Sequence, residues 1–279
     1  MTVEVNITIL LSLNLLFNLC SFVVNLTSLR RIYKEKSQHF TLVNVKVVID
    51  TIFSIAGVAY ITAIEMRIRG LSNNEVTFHI ANVLFSTEMS MGVVSVLTAV
   101  DRLIAIRKPA LYLSIYFPFL KKFTFLATSI MFLATFAVYL LYKKPRLDEG
   151  YMFYHFTLPY VQTITHFMYT LLFLTSVVIG LFVWDAFNAL TKRSAQPMTT
   201  YAKKLVVANR IVVCEMAADL FVLSLPTSTL AFLKYVFNFD IVQMVGPITL
   251  PLFSIYVFIC ALSYTFLTRK TKVQNIQIS

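Results

Sequence analysis

The sequence predicts an all-α membrane protein, a bundle of seven transmembrane helices with its N-terminus outside and its C-terminus inside. Three observations carry this expectation. Apolar runs of about twenty residues recur along the chain, each long enough to cross a bilayer as a helix. The 279 residues are 58% hydrophobic and only 13% charged, with a mean hydropathy of +0.76, and a soluble domain of this length needs far more charge to cover its surface. Lys and Arg fall unevenly between alternate loops. Short alternating strands of the transmembrane-barrel kind are not what the runs spell out.

The runs cover roughly residues 7–29, 41–64, 77–100, 119–142, 161–187, 205–233 and 241–267. The first has no basic stretch before it, is too long for a signal-peptide core and is followed by Arg30-Arg31, so it reads as an uncleaved helix. One set of alternate loops holds Arg30, Arg31, Lys34, Lys36, Arg102, Arg107, Lys108, Lys121, Lys122, Lys192, Arg193, Lys203, Lys204, Arg269, Lys270 and Lys272. The other holds Arg67, Arg69, Lys143, Lys144, Arg146 and Lys234. The richer set belongs in the cytoplasm. This also explains the net charge of +11 without nucleic acid. Few glycines and prolines, short loops and no internal repeat leave one domain over 1–279.

Ionisable groups inside a membrane are functional candidates. In the second helix Lys46 and Asp50 share a face. Lys46 is expected to snorkel towards the cytoplasmic end, while Asp50 belongs to a polar network. In the third helix Glu88 lies thirteen residues before Asp101, about 20 Å along the axis. It is either a ligand anchor at the floor of an outward-opening pocket or a carboxylate bonded to a neighbouring helix. In the sixth, Glu215 and Asp219 are one turn apart, and a polar seam with Arg210 as counter-ion is preferred to a catalytic pair. Pro226, Pro247 and Pro251 are candidate kinks. The run Tyr151 to Phe156 reads as an interfacial aromatic belt, with a lid over a pocket as the alternative. His166 reads as a polar bundle residue, and no histidine has metal-ligand spacing. Cys20, Cys214 and Cys260 read as buried thiols. Of two glycosylation sequons, the one at Asn6 lies against the first helix and the one at Asn25 inside it.

The third helix closes on Asp101-Arg102, followed by Ala105, Pro109 and Tyr112. This run resembles the third-helix and second-loop motif of rhodopsin-like receptors. The short loops, brief N-terminus, aromatic-rich helices and length look most like the nematode serpentine chemoreceptors, class BC among them. The resemblance covers the whole chain in layout and a few positions in motif. It implies a G protein-coupled chemosensory receptor of the plasma membrane, sensory cilia included, with a small external molecule as ligand and a heterotrimeric G protein as partner. It implies no cofactor and no catalytic residue. Asp101, Arg102 and Pro109 would form the coupling switch. Asn25 and Asp50 would form the polar network of the first and second helices, joined by Glu215 and Asp219, and Glu88 and His166 would line the ligand pocket. Three departures stand out. Leu250 to Tyr256 contains Pro and Tyr but no Asn-Pro-x-x-Tyr run, the outer cysteine pair is missing, and the sixth helix lacks an aromatic Cys-Trp-x-Pro motif. The alternative is an ion channel or transporter that uses the intramembrane acids as a polar path. An enzyme ranks third, since no nucleophile or metal motif is present.

Overall fold

A computed structural model describes residues 3–35, 41–144, 152–193, 200–237 and 248–276, and the described residues are almost wholly helical. Helix α1 runs Val3–Glu35, α2 Thr41–Ile68 and α3 Asn74–Arg107. A turn at Pro109–Leu111 and a π-helical stretch, Tyr112–Tyr116, lead into α4, Phe117–Leu141. A single helical turn at Phe153–Phe156 precedes α5, Pro159–Arg193. Then come α6, Thr200–Ala218, a π-helical stretch, Asp219–Ser224, and α7, Leu225–Phe237. Helix α8 runs Thr249–Ile276.

Among the described residues six helices are long and apolar enough to cross a membrane: Ile7–Tyr33, Leu42–Ile68, Asn74–Arg107, Ser114–Leu141, Pro159–Ala189 and Thr249–Thr268. The chain is therefore a multi-pass, all-α membrane protein with a bilayer as its solvent. Six of the predicted segments match these helices. The segment predicted at 205–233 is helical but divided: Thr200–Ala218 carries Lys203, Lys204, Arg210 and Glu215, and Leu225–Phe237, at 13 residues, is too short to span alone. The start of the segment predicted at 241–267, Pro247 included, lies outside the described residues, as do Tyr151 and Arg146.

Local chemistry sets the helix ends. At the α2–α3 turn Gly70 takes φ 72, a left-handed conformation that glycine adopts without a Cβ penalty. Its N–H donates to Arg67 O at 3.0 Å and that of Leu71 to Met66 O at 2.8 Å, the paired bonds of a Schellman cap. Asn73 then caps α3, its side chain accepting from Val76 N at 3.0 Å. Glu75 in the first turn and Arg107 in the last complement the helix dipole. At the far end Pro109 disfavours the α conformation for Lys108, which sits at φ −133, ψ 59, and α3 stops there. The helix thus runs past Asp101, where the apolar run gives out.

Helix α3 is the axis of the bundle, packing against α2, α4, α5 and α6, and 72% of its spanning window is buried. Helix α1, at 17%, and α4, at 22%, lie at the periphery. Helix α8 packs between α1 and α6. Helices α1 and α2 approach closely at Gly57, where an added Cβ would sit 2.6 Å from Asn18 Nδ2. The π stretch ends just before Pro226, whose ring nitrogen cannot donate to Val222 O. The wider turn ahead of it accommodates the lost bond. Pro251 instead falls in the first described turn of α8, where no donor is missed.

Candidate functional site

Among the described residues, three buried polar assemblies hold most of the candidate residues. At the Arg102 end of α3, Asp101 and Arg102 are both buried, Arg102 at 3% exposure. The Arg102 guanidinium donates to Asp101 Oδ2, from Nε at 2.8 Å and also from an amino nitrogen. The other contact of that amino nitrogen is Tyr112 Oη, at 2.8 Å. Tyr112 in turn donates to Asp101 Oδ1 at 2.7 Å. Acid, base and phenol close a three-membered ring, made possible because the π turn after Pro109 brings Tyr112 back under α3. Arg102 is expected from sequence to stay hydrated at the membrane edge, and the structure corrects this: its charge is buried and paired. Pro109 is exposed, and its part is to end the helix.

The second assembly is centred on Lys46. Its ammonium donates to Tyr256 Oη at 2.9 Å, lies 3.5 Å from Asp50 Oδ2, and sits 4.8 Å from the centroid of the Tyr256 ring. Tyr256 also meets Ser95 Oγ at 3.2 Å and hydrogen-bonds Asp219. Ser176 donates to Asp219 Oδ2 at 2.8 Å. Glu215, also buried, lies within electrostatic reach of Lys46 and both aspartates. One lysine thus serves three acids, and side chains of α2, α3, α5, α6, the π stretch and α8 converge. Lys46 is expected to snorkel, but at 1% exposure it does not, because Tyr256 and Asp50 hold its ammonium inside the bundle. Arg210, the expected counter-ion of the Glu215–Asp219 seam, is exposed, and Lys46 takes that place. Asn25 is buried, yet neither of its amide atoms has a hydrogen-bond partner, so it stands apart from Asp50. Polar links between α1 and α8 run instead through Asn14, Asn18 and Ser254, with Asn18 Nδ2 donating to Ser254 Oγ at 2.9 Å, and through Ser28 Oγ and Thr265 Oγ1 at 3.0 Å.

The third assembly lies at the Glu75 end. Glu88 is buried on α3 at 3% exposure, and its Oε1 has no partner. Tyr60 of α2, Tyr139 of α4 and Tyr169 of α5 are close enough to feel its charge. His166 Nε2 bonds the Tyr169 hydroxyl, which places His166 one residue away from the carboxylate's surroundings. Phe153 closes this end. It stacks on Phe85 at 4.6 Å and meets Tyr139 edge-on at 4.9 Å, and its N–H donates to Tyr60 Oη at 2.9 Å. The aromatic run is therefore no interfacial belt at Phe153 and Phe156, which are buried; Tyr154 remains 41% exposed. An ion pair between Lys143 and Glu75 holds the same loop to α3.

Lys46, Tyr256, Tyr112 and Phe153 are the residues that sequence reasoning underrates. The usable signal was Lys46 itself, a lysine one turn from an aspartate within an apolar run. No protein-family model matches the chain, and no curated protein matches it.

Proposed function

We propose that the chain is a G protein-coupled chemosensory receptor of the serpentine, rhodopsin-like kind, with seven spans, its N-terminus outside and its C-terminus inside. A small external molecule binds among the helices near Glu88 and His166, and a heterotrimeric G protein docks at the Arg102 end, in the plasma membrane. The observation that carries this reading is the buried Asp101–Arg102–Tyr112 ring. A guanidinium tied to its own neighbour at the end of the central helix is a bistable element: it can stay locked or be released to a partner. Ligand favours release only by binding the released state more tightly.

The stretch from Thr200 to Phe237 serves as the sixth span. Its acids, Glu215 and Asp219, are buried, while Phe221, Leu225, Phe232 and Val236 are exposed. Such a helix is apolar where lipid meets it and charged where the bundle does, so a hydropathy count undervalues it. The test is reconstitution with a G protein. Ligand should speed nucleotide exchange, and exchange that no ligand from a chemical screen alters sinks the receptor reading.

One observation favours a second reading. The Lys46, Asp50, Glu215 and Asp219 cluster would serve as the middle of a polar path in a channel or transporter. Ion or solute flux through the purified chain in liposomes without a G protein would establish it.

A further inference from the structure

We propose that a groove at the Arg30 end of α1 binds one anionic phospholipid, its acyl chain lying along Leu29 and Ile32 and its phosphate headgroup meeting Arg30. The inference goes beyond the receptor reading and does not rest on it. It starts from a shape. An open groove of about 490 Å³ lies at the end of α1, lined among the described residues by Leu29, Arg30, Ile32 and Tyr33. Its floor is apolar: Leu29 and Ile32 are half-buried and pack against Val43, Val47, Ile211 and Tyr264. Arg30 is exposed, and so is Tyr33, at 87%.

The charge around the groove follows from helix register. Hydrogen bonds tie α1 to α8 at Asn18–Ser254 and again at Ser28–Thr265. Steps of 10 residues along α1 and 11 along α8 separate the two bonds, so the helices run parallel, side by side. Beyond the Ser28–Thr265 bond, Arg30 and Arg31 stand about 3–5 Å further along α1, and Arg269 and Lys270 about 6–8 Å further along α8. Four basic positions thus fall within about one helical turn of axial height, and Lys34 follows on α1. Glu35 is the only acid between residues 28 and 36 or after 265. Among the described residues neither Arg30 nor Arg31 has a hydrogen bond or an ion pair.

Depth and charge together choose the occupant. The spanning segment of α1 is Ile7–Tyr33, so the groove lies where the hydrocarbon of a bilayer gives way to headgroups. A soluble acidic partner would leave Leu29 and Ile32 without apolar cover at that depth. A neutral lipid or a sterol would cover the apolar floor and leave the arginines unanswered. A free phosphate would do the reverse. A phospholipid of net negative charge answers both, since its acyl chain covers apolar surface and basic residues at the membrane edge attract anionic headgroups.

The test uses the full chain in detergent, stripped of lipid and offered equal amounts of phosphatidylserine and phosphatidylcholine with the same acyl chains. Native mass spectrometry counts the lipids retained. One phosphatidylserine should be held with about a tenfold preference over phosphatidylcholine. Arg30→Gln with Arg31→Gln should bring that ratio close to one. Arg30→Gln alone, at an exposed and unpartnered position, should lower it about threefold and decides the matter if the double variant does not fold. Lys121→Gln with Lys122→Gln removes the same charge from exposed positions in α4 and should leave the ratio as it was. Glycerophosphoserine, the headgroup without its chains, should not displace the lipid. Equal retention of the two lipids, a ratio that survives the loss of both arginines, or an equal fall in the lysine variant overturns the inference. Displacement by glycerophosphoserine overturns it too, by making the site one for a soluble phosphate ester. Retention of no lipid, with Arg30-dependent capture of a polyglutamate peptide, overturns it by giving the surface to an acidic polypeptide.

Discussion

Lys46 holds three buried acids with one charge, and its removal is the sharpest test at the scale of single residues. Lys46→Met should cost about 3–5 kcal/mol, the range for breaking a buried ion pair and leaving its partner uncompensated. Thermal unfolding in detergent reads the loss. Adding Asp50→Asn to Lys46→Met should recover much of it, and strict additivity of the two changes would show that the pair is not coupled. Arg102 follows the same logic. Since its guanidinium is buried with Asp101, Arg102→Ala should lower stability as well as signalling. Asp101→Asn should leave Arg102 with only its weaker contacts, including Tyr112. In the receptor reading that raises nucleotide exchange without ligand, and unchanged basal exchange in a well-folded variant would argue against a lock.

At the scale of elements, two contacts depend on what lies across from them. Helices α1 and α2 meet where Gly57 leaves room for Asn18, which is itself bonded to Asn14 and Ser254. A methyl group there displaces a side chain that ties α1 to α8. Gly57→Ala should therefore cost about 1–3 kcal/mol by overpacking, measured as a lower melting temperature, whereas Gly70→Ala meets open space and suffers only from its positive φ. The loop carrying Phe153 has no disulfide to hold it, because all three cysteines are unpaired. Stacking on Phe85, the bond to Tyr60 and the Lys143–Glu75 ion pair hold it to α2 and α3 instead. Phe153→Ala should speed amide exchange in residues 152–158 while leaving α3 protected. Unchanged exchange there would mean that the ring does not hold the loop.

For the whole molecule the outstanding matter is the number of spans and their direction. If Thr200–Phe237 crosses the membrane, the two ends of the chain lie on opposite sides. Epitope tags should then stain intact cells at the N-terminus alone. Staining of a C-terminal tag on unpermeabilised cells would overturn both the count and the basic-loop argument. The same geometry explains why two of the spanning helices, α1 and α4, bury so little: lipid, not protein, covers them.

The sequence by itself determined the solvent and the layout. Apolar length is a local property, summed over about twenty neighbours, so six of the predicted segments reappear as helices able to cross a membrane. Caps such as Asn73 and stops such as Pro109 are local in the same way. It also singled out Asp50, Glu88, Glu215 and Asp219, because an acid in an apolar run is conspicuous anywhere. What only the tertiary structure decided is who meets whom. Lys46 finds Tyr256 across 210 positions of chain, a pairing that follows from α8 packing beside α2 and that no periodicity encodes. The burial of Arg102 depends on Tyr112 folding back beyond Pro109. That Glu88 is left with Oε1 unpartnered depends on which side chains the neighbouring helices bring beside it. Hydropathy reports the cost of placing a charge in the bundle, and the packing of distant helices decides whether that cost is met.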